Sequence, residues 1–172
     1  KLIIAPHVID ENHLVEIIRK LKRPYVRYTR ADEKNVRKAD CLIIDCFGLL
    51  SSIYRYGEIA YIGGGFGVGI HNTLEAAVYG IPVIFGPKYQ KFQEAIRLLE
   101  AKGGFSIKSY EELKALLDRM LEDEEFLRES GMNAGLYVTD NAGATDKVLN
   151  MINFKPVFAL LLYTSDAADE LD

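Results

Sequence analysis

Short apolar runs recur along the chain, each closed by a turn signal and most followed by a stretch with helical spacing. Leu2 to Ala5 is the first run, ended by Pro6, and Leu14, Ile17, Ile18 and Leu21 then recur at helical intervals. This predicts a strand and then a helix, with Asp10 placed to cap the helix and Pro24 to end it. Tyr25 to Thr29 carries the β-branched and aromatic residues of a second strand, and the ten residues after it are polar. Leu42–Ile44 reads as a third strand ending at Asp45, with a short helix over Leu49 to Tyr54. Ile59 to Ile62 is a fourth strand that runs straight into a glycine-rich turn.

Beyond that turn, Thr73 to Tyr79 reads as a helix stopped by Gly80, and Pro82 to Phe85 as a fifth strand closed by Gly86-Pro87. Phe92, Ala95, Ile96 and Leu99 predict a helix that ends at Gly103-Gly104, before a sixth strand at Phe105 to Ile107. Ser109 and Glu112 have capping-box spacing ahead of Leu113, Leu116, Leu117 and Met120. Two more helices are predicted, over Asp123 to about Tyr137 and about Ala144 to Ile152. Strands that are apolar along their length and alternate with helices predict an α/β fold, a doubly wound parallel sheet of the Rossmann-like kind covered on both faces. In such sheets ligands sit beyond the carboxyl ends of the strands, where Pro6-His7, Asp45, Gly63 to Gly69 and Gly86-Pro87 all fall.

Composition narrows the possibilities. A chain of 172 residues with 49% hydrophobic and 27% charged residues fits one globular domain with a packed core. A net charge of −4 gives no basic face for nucleic acid, so no nucleic-acid partner is expected and any anion must be held locally. Cys41 and Cys46 form no disulfide framework. No apolar run reaches the roughly 18 residues of a membrane span. An apolar strand at residue 1 suggests a fragment of a longer protein. The domain is expected to cover residues 1–153. Residues 154–172 break the pattern, and Leu161 to Glu170 looks like translated sequencing-adapter read-through, so they are read as a non-native or disordered tail.

Gly63-Gly64-Gly65-Phe66-Gly67-Val68-Gly69 lacks the Lys-Ser or Lys-Thr pair of a P-loop. It also fails the dinucleotide fingerprint, because the third glycine would fall on Val68 and no acidic residue closes a second strand about 20 residues on. What remains is a strand, a flexible turn that a ligand can approach closely, and a helix start that attracts an anion. Close packing of a helix on a sheet is the competing reason for such glycines. His71 and Asn72 can offer donors to a phosphate or sugar, and Glu75 can accept two hydroxyl hydrogen bonds from a ribose or simply complement the helix dipole. Asp45 can line the cleft or cap the following helix. His13 reads as a solvated helix residue, and Tyr54, Tyr79 and Phe92 as packing residues.

The run Gly63-Gly64-Gly65-Phe66, then Gly69-Ile70-His71-Asn72-Thr73-Leu74-Glu75-Ala76-Ala77, then Gly80 to Pro87 and Phe92, resembles the donor half of the 3-deoxy-D-manno-octulosonic acid (Kdo) transferases. Asp45, Gly48, Leu49 and Tyr54 are similar in spacing to an Asp-x-x-Gly-x-Leu-x-x-x-Tyr segment of that family, and Asn141-Ala142-Gly143-Ala144 adds to the likeness, which spans residues 1 to about 152. Departures are Ala76 where the family commonly has Pro, Lys91-Phe92 in place of Asn-Phe, and Val8 after His7.

The resemblance implies the carboxyl-terminal, nucleotide-sugar-binding domain of a GT-B enzyme that moves Kdo from CMP-Kdo to a lipid A precursor with inversion. It implies no metal or other cofactor, and a general base in an amino-terminal domain outside this chain. That domain would also bring the lipid acceptor and any membrane contact, at the cytoplasmic face of the bacterial inner membrane. The donor-binding residues it implies are Pro6, His7, Asp45, Gly48, Gly63, Gly64, Gly65, Phe66, His71, Asn72, Leu74, Glu75, Gly86 and Pro87. With no metal, positive charge near the keto acid carboxylate could come from Lys88 or Lys91, although a lone lysine is more often a solvated surface charge. Another GT-B transferase or a sugar-nucleotide epimerase, separable by preference for CMP or UDP, is one alternative, and a non-catalytic nucleotide-binding module, which an upstream second α/β domain would argue against, is the other.

Overall fold

The computed structural model describes residues 1–152, so the tail read at 154–172 lies outside the described residues. All six expected strands are present: β1 Leu2–Ile4, β2 Tyr25–Arg27, β3 Cys41–Ile43, β4 Ala60–Ile62, β5 Val83–Phe85 and β6 Gly104–Ser106. Every pairing is parallel, but the strands divide into two three-stranded sheets, ordered β1-β3-β2 and β4-β5-β6, where one continuous sheet was expected. Among the described residues no hydrogen-bonded ladder joins a strand of one sheet to a strand of the other.

The helices are α1 Glu11–Lys20, α2 Glu33–Lys38, α3 Leu50–Ile53, α4 Leu74–Ala77, α5 Gln93–Glu100, α6 Tyr110–Glu122, α7 Glu124–Asp140 and α8 Ala144–Met151. Asp10 caps α1 as expected, accepting from His13 N at 2.9 Å. Helix α2 was not foreseen. Its ends are set by side chains, since Asp32 accepts from the N–H groups of Lys34 and Asn35 while the Asn35 carboxamide oxygen accepts from Asp32 N. This reciprocal cap satisfies amides that an apolar face would otherwise have to compensate. At α6, Ser109 Oγ accepts from Glu112 N, but the Glu112 carboxylate accepts from Lys108 N, one residue before the cap.

The second sheet is covered on both faces. Val83 and Phe85 share a cluster with Ala76, Ala77, Ala95, Leu98 and Ala134, whereas Ile84, pointing the other way, packs with Ile107 and Met120. All three residues of β5 are 0% exposed, worth roughly 1.5–3 kcal/mol for each side chain buried. Helix α7 comes close enough for backbone contact, because a Cβ on Gly131 would lie 2.3 Å from the Gly80 carbonyl oxygen.

The compact unit containing both sheets runs from Lys1 to Asp140; a second unit begins at Asn141, and α8 is its described helix. Among the described residues no helix is long and apolar enough to cross a membrane.

Candidate functional site

The carboxyl ends of β4 and β5 carry the glycine turn and the Gly86-Pro87 segment, and the two are locked together through backbone. A Cβ on Gly65 would meet Gly86 Cα and N at 2.7 Å, and one on Gly86 would meet the Gly65 carbonyl carbon at 2.6 Å. Gly64 has φ +88° and would place a Cβ 2.2 Å from the Gly69 carbonyl oxygen, so both conformation and space demand glycine there. Gly63 is different, for a Cβ there would meet only His71 Cδ2, at 3.7 Å. The packing explanation of the glycines therefore accounts for Gly64, Gly65 and Gly86 and leaves Gly63 unexplained.

The turn uses its carbonyls internally. Gly63 O accepts from His71 N at 3.2 Å, Gly64 O from Gly67 N at 2.8 Å, and Gly65 O from Lys88 N at 3.0 Å. Lys88 Nζ closes the set by donating to Gly67 O at 2.7 Å. The N–H groups of Gly64, Gly65, Phe66, Val68 and Gly69 have no acceptor among the described residues. A loop whose carbonyls are tied back while successive N–H groups stay unpaired is a ready anion cradle. Lys88 thus clamps the turn, which was not foreseen, since the expectation placed it against a ligand carboxylate. Lys91 is exposed.

Behind the turn stand His71, Asn72 and Glu75. Helix α4 has four residues rather than the expected seven, continued by turns to Gly80, so its dipole is small and the turn's own N–H groups carry more of any anion binding. Thr73, at the N-cap position, makes no side-chain cap bond, and the residue before it supplies one: Asn72 Oδ1 accepts from Leu74 N at 3.0 Å, while Asn72 Nδ2 donates to Glu75 Oε1 at 3.0 Å. The Asn72 donor expected to face a phosphate is therefore engaged with Glu75. Glu75 Oε2 has no hydrogen-bond partner among the described residues and can accept from a hydroxyl. Leu74 is half-buried at the helix start and contributes its N–H to the cap. Burial first, and then the charge of Glu75, push the Tyr54 phenol above its ordinary value.

From the first sheet, Pro6 and His7 follow β1, and the exposed His7 ring stacks on His71 with centroids 4.9 Å apart and planes at 25°. Gly48 adopts φ +84° in open space beyond β3. Phe66, at the tip of the turn, is half exposed.

Asp45 is a correction to both readings offered for it. It neither caps α3, whose first turn has no side-chain cap, nor turns a free carboxylate to a cleft. Oδ2 accepts from Arg27 Nε at 2.8 Å and from Thr29 Oγ1 at 2.6 Å, and Oδ1 from Thr29 N at 2.9 Å. Arg27 also donates twice to Glu11, tying α1 to both strands. Burial raises the Asp45 pKa, but the hydrogen bonds from Thr29 and Arg27 outweigh it and hold the group at about 2. The partners lie 16 and 18 residues away with no spacing signal that links them.

Tyr54 and Phe92 pack against the second sheet's core as expected, Tyr79 lies under the Arg55 guanidinium at 6.0 Å from its ring centre, and His13 is half-buried on α1. Among the described residues no group of three or more His, Cys, Asp or Glu is arranged to hold a metal ion.

No family model matches the chain. The 3-deoxy-D-manno-octulosonic acid transferase of Aquifex aeolicus (strain VF5) is 37% identical over 123 residues, covering 70% of this chain and 33% of that protein. The transferase of the same name from Rickettsia bellii (strain RML369-C) is 34% identical over 116 residues, 66% of this chain and 28% of the relative. Among solved structures, the C-terminal CMP-Kdo binding domain of WaaA from Acinetobacter baumannii superposes with a TM-score of 0.67 at 20% identity, over 77% of this chain and 70% of that one, which establishes the shared fold. The chain spans about a third of the length of these curated relatives. It belongs to the 3-deoxy-D-manno-octulosonic acid transferase family, as a segment with the fold of that domain.

Proposed function

We propose that this chain is the donor-binding half of an inverting glycosyltransferase that moves Kdo from CMP-Kdo to a lipid A precursor. The observation that carries the reading is the set of unpaired N–H groups at Gly64, Gly65, Phe66, Val68 and Gly69, beside His71 and Glu75, in a chain whose relatives include Kdo transferases. The phosphate of CMP gains charge as the glycosidic bond breaks. Donors already fixed in place stabilise that state more than the ground state and need no reorganisation at the moment of transfer.

In this reading the turn holds the phosphate, Gly63 lets it approach, and His71 adds a side-chain donor. Glu75 accepts from the ribose through Oε2 while Asn72 keeps its other oxygen in place. Neither a metal nor another cofactor takes part, and Lys91 is the cation available to the keto acid carboxylate. The general base and the lipid acceptor belong to the part of the longer protein outside this chain. That part also carries any contact with the membrane, at the cytoplasmic face of the bacterial inner membrane.

Calorimetric titration of the chain with CMP and with UDP tests the proposal. CMP is expected to bind and UDP to bind more weakly, with His71→Ala and Glu75→Ala each reducing CMP affinity about tenfold, the equivalent of one lost charge-assisted contact. Preference for UDP would point to another nucleotide-sugar enzyme. Unchanged CMP affinity in both variants would falsify the assignment.

A further inference from the structure

We infer that His7 acts as a positioning residue, through the face of its ring and not through its N–H groups, by holding the His71 imidazole against the turn. The inference rests on the nucleotide-sugar reading above and reassigns a residue expected to touch the donor itself.

The two imidazoles come from different sheets. His7 follows β1 and His71 follows the turn after β4, and no strand ladder joins those sheets. No strand hydrogen bond therefore ties the two loops together at this point, and the ring contact bridges them. At 4.9 Å between centroids and 25° between planes, the rings meet face to face rather than by a hydrogen bond. His71 is otherwise held on the turn side only: its N–H donates to Gly63 O, and its Cδ2 lies beside Gly63. Its ring is exposed and makes no side-chain hydrogen bond among the described residues. A donor on a freely rotating exposed ring would have to be ordered when ligand binds, at a cost in affinity. Stacking orders it beforehand, and it asks of position 7 only a flat side chain.

Two substitutions separate face from donor. His7→Phe keeps an aromatic face and removes both nitrogens, whereas His7→Asn keeps a polar hydrogen-bonding group and removes the ring. Position 7 is exposed, so neither change disturbs the core. CMP titration of the chain is expected to show His7→Phe within about threefold of the unsubstituted protein and His7→Asn weakened about tenfold, the order of one stacking contact and the rotamer it fixes. In the free protein, the His71 ring-proton resonances should move in His7→Asn as ring-current shielding is lost, and far less in His7→Phe.

The opposite order of affinities, equal loss in both variants, or affinity unchanged in both would each overturn the inference and leave the nucleotide site standing. If the unsubstituted chain binds no CMP, the site reading fails and this inference fails with it.

Discussion

Gly65 and Gly86 meet backbone to backbone, each occupying the space where the other would need to make room for a Cβ. Alanine at either position is expected to destabilise the protein by roughly 1–3 kcal/mol, the usual cost of overpacking. Gly63→Ala, with its nearest neighbour at 3.7 Å, is expected to change stability by less than about 0.5 kcal/mol. Thermal unfolding of the three variants checks this, and a Gly63→Ala protein as unstable as Gly65→Ala would refute it. On the nucleotide reading Gly63→Ala still weakens CMP binding, because the methyl group stands where the phosphate approaches.

Asn72 has two separable duties, an acceptor for Leu74 N and a donor to Glu75. Asn72→Asp keeps the first and turns the second into repulsion between carboxylates. Its stability is expected to stay within about 1 kcal/mol of the unsubstituted protein, since aspartate caps as well as asparagine. CMP affinity should fall more than in Asn72→Ala, which loses the cap but adds no charge. Equal affinities for the two variants would remove Asn72 and Glu75 from the site.

Asp45 makes a prediction for acid. Its pKa of about 2 in the folded chain lies below the ordinary 3.8, so the unfolded chain takes up the proton more readily. The stabilisation it provides is complete above about pH 4 and is lost as pH falls through about 2. In Asp45→Asn, denaturant midpoints measured between pH 4 and 2 should depend less on pH than in the unsubstituted protein. At neutral pH the same variant should be less stable by about 3 kcal/mol, because Arg27, with 14% of its side chain exposed, loses its buried partner. An undiminished acid dependence would show that other carboxylates dominate.

Gly131 faces the Gly80 carbonyl across the seam between α7 and α4. Gly131→Ala must push the helix away from the turn that follows α4, and a loss of roughly 1–3 kcal/mol is expected in chemical denaturation. No loss would mean that α7 can shift freely on the sheet.

The six strands were legible because each is a short run rich in apolar, β-branched or aromatic residues near a Pro, Gly or Asp, although only β5 is buried along its whole length. Helix α2 was missed because it has no apolar periodicity; its signal is the pair Asp32 and Asn35, which looks like any other polar turn in a list of residues. The cluster of Gly63, His71, Asn72 and Glu75 could be read locally, since its members are neighbours in sequence. The roles of Asp45, Lys88 and His7 could not, because each depends on a partner on another strand or loop: Arg27 and Thr29, Gly67, and His71. Nor does strand order say where a ladder stops, so the division into two sheets has no signal in the residue pattern.

That division has a kinetic consequence. In β1, Leu2 and Ile3 are 50% and 37% exposed, whereas β5 is wholly buried, and the free energy of local opening follows such differences in burial. Amide exchange is expected to be fastest in β1 and slowest in β5, and the reverse order would contradict this. The turn after β4 is packed against the most buried strand, through Gly65 and Gly86, while His7 follows the most exposed one. If exchange follows that order, the contact between the two imidazoles ties a slowly opening loop to a readily opening one.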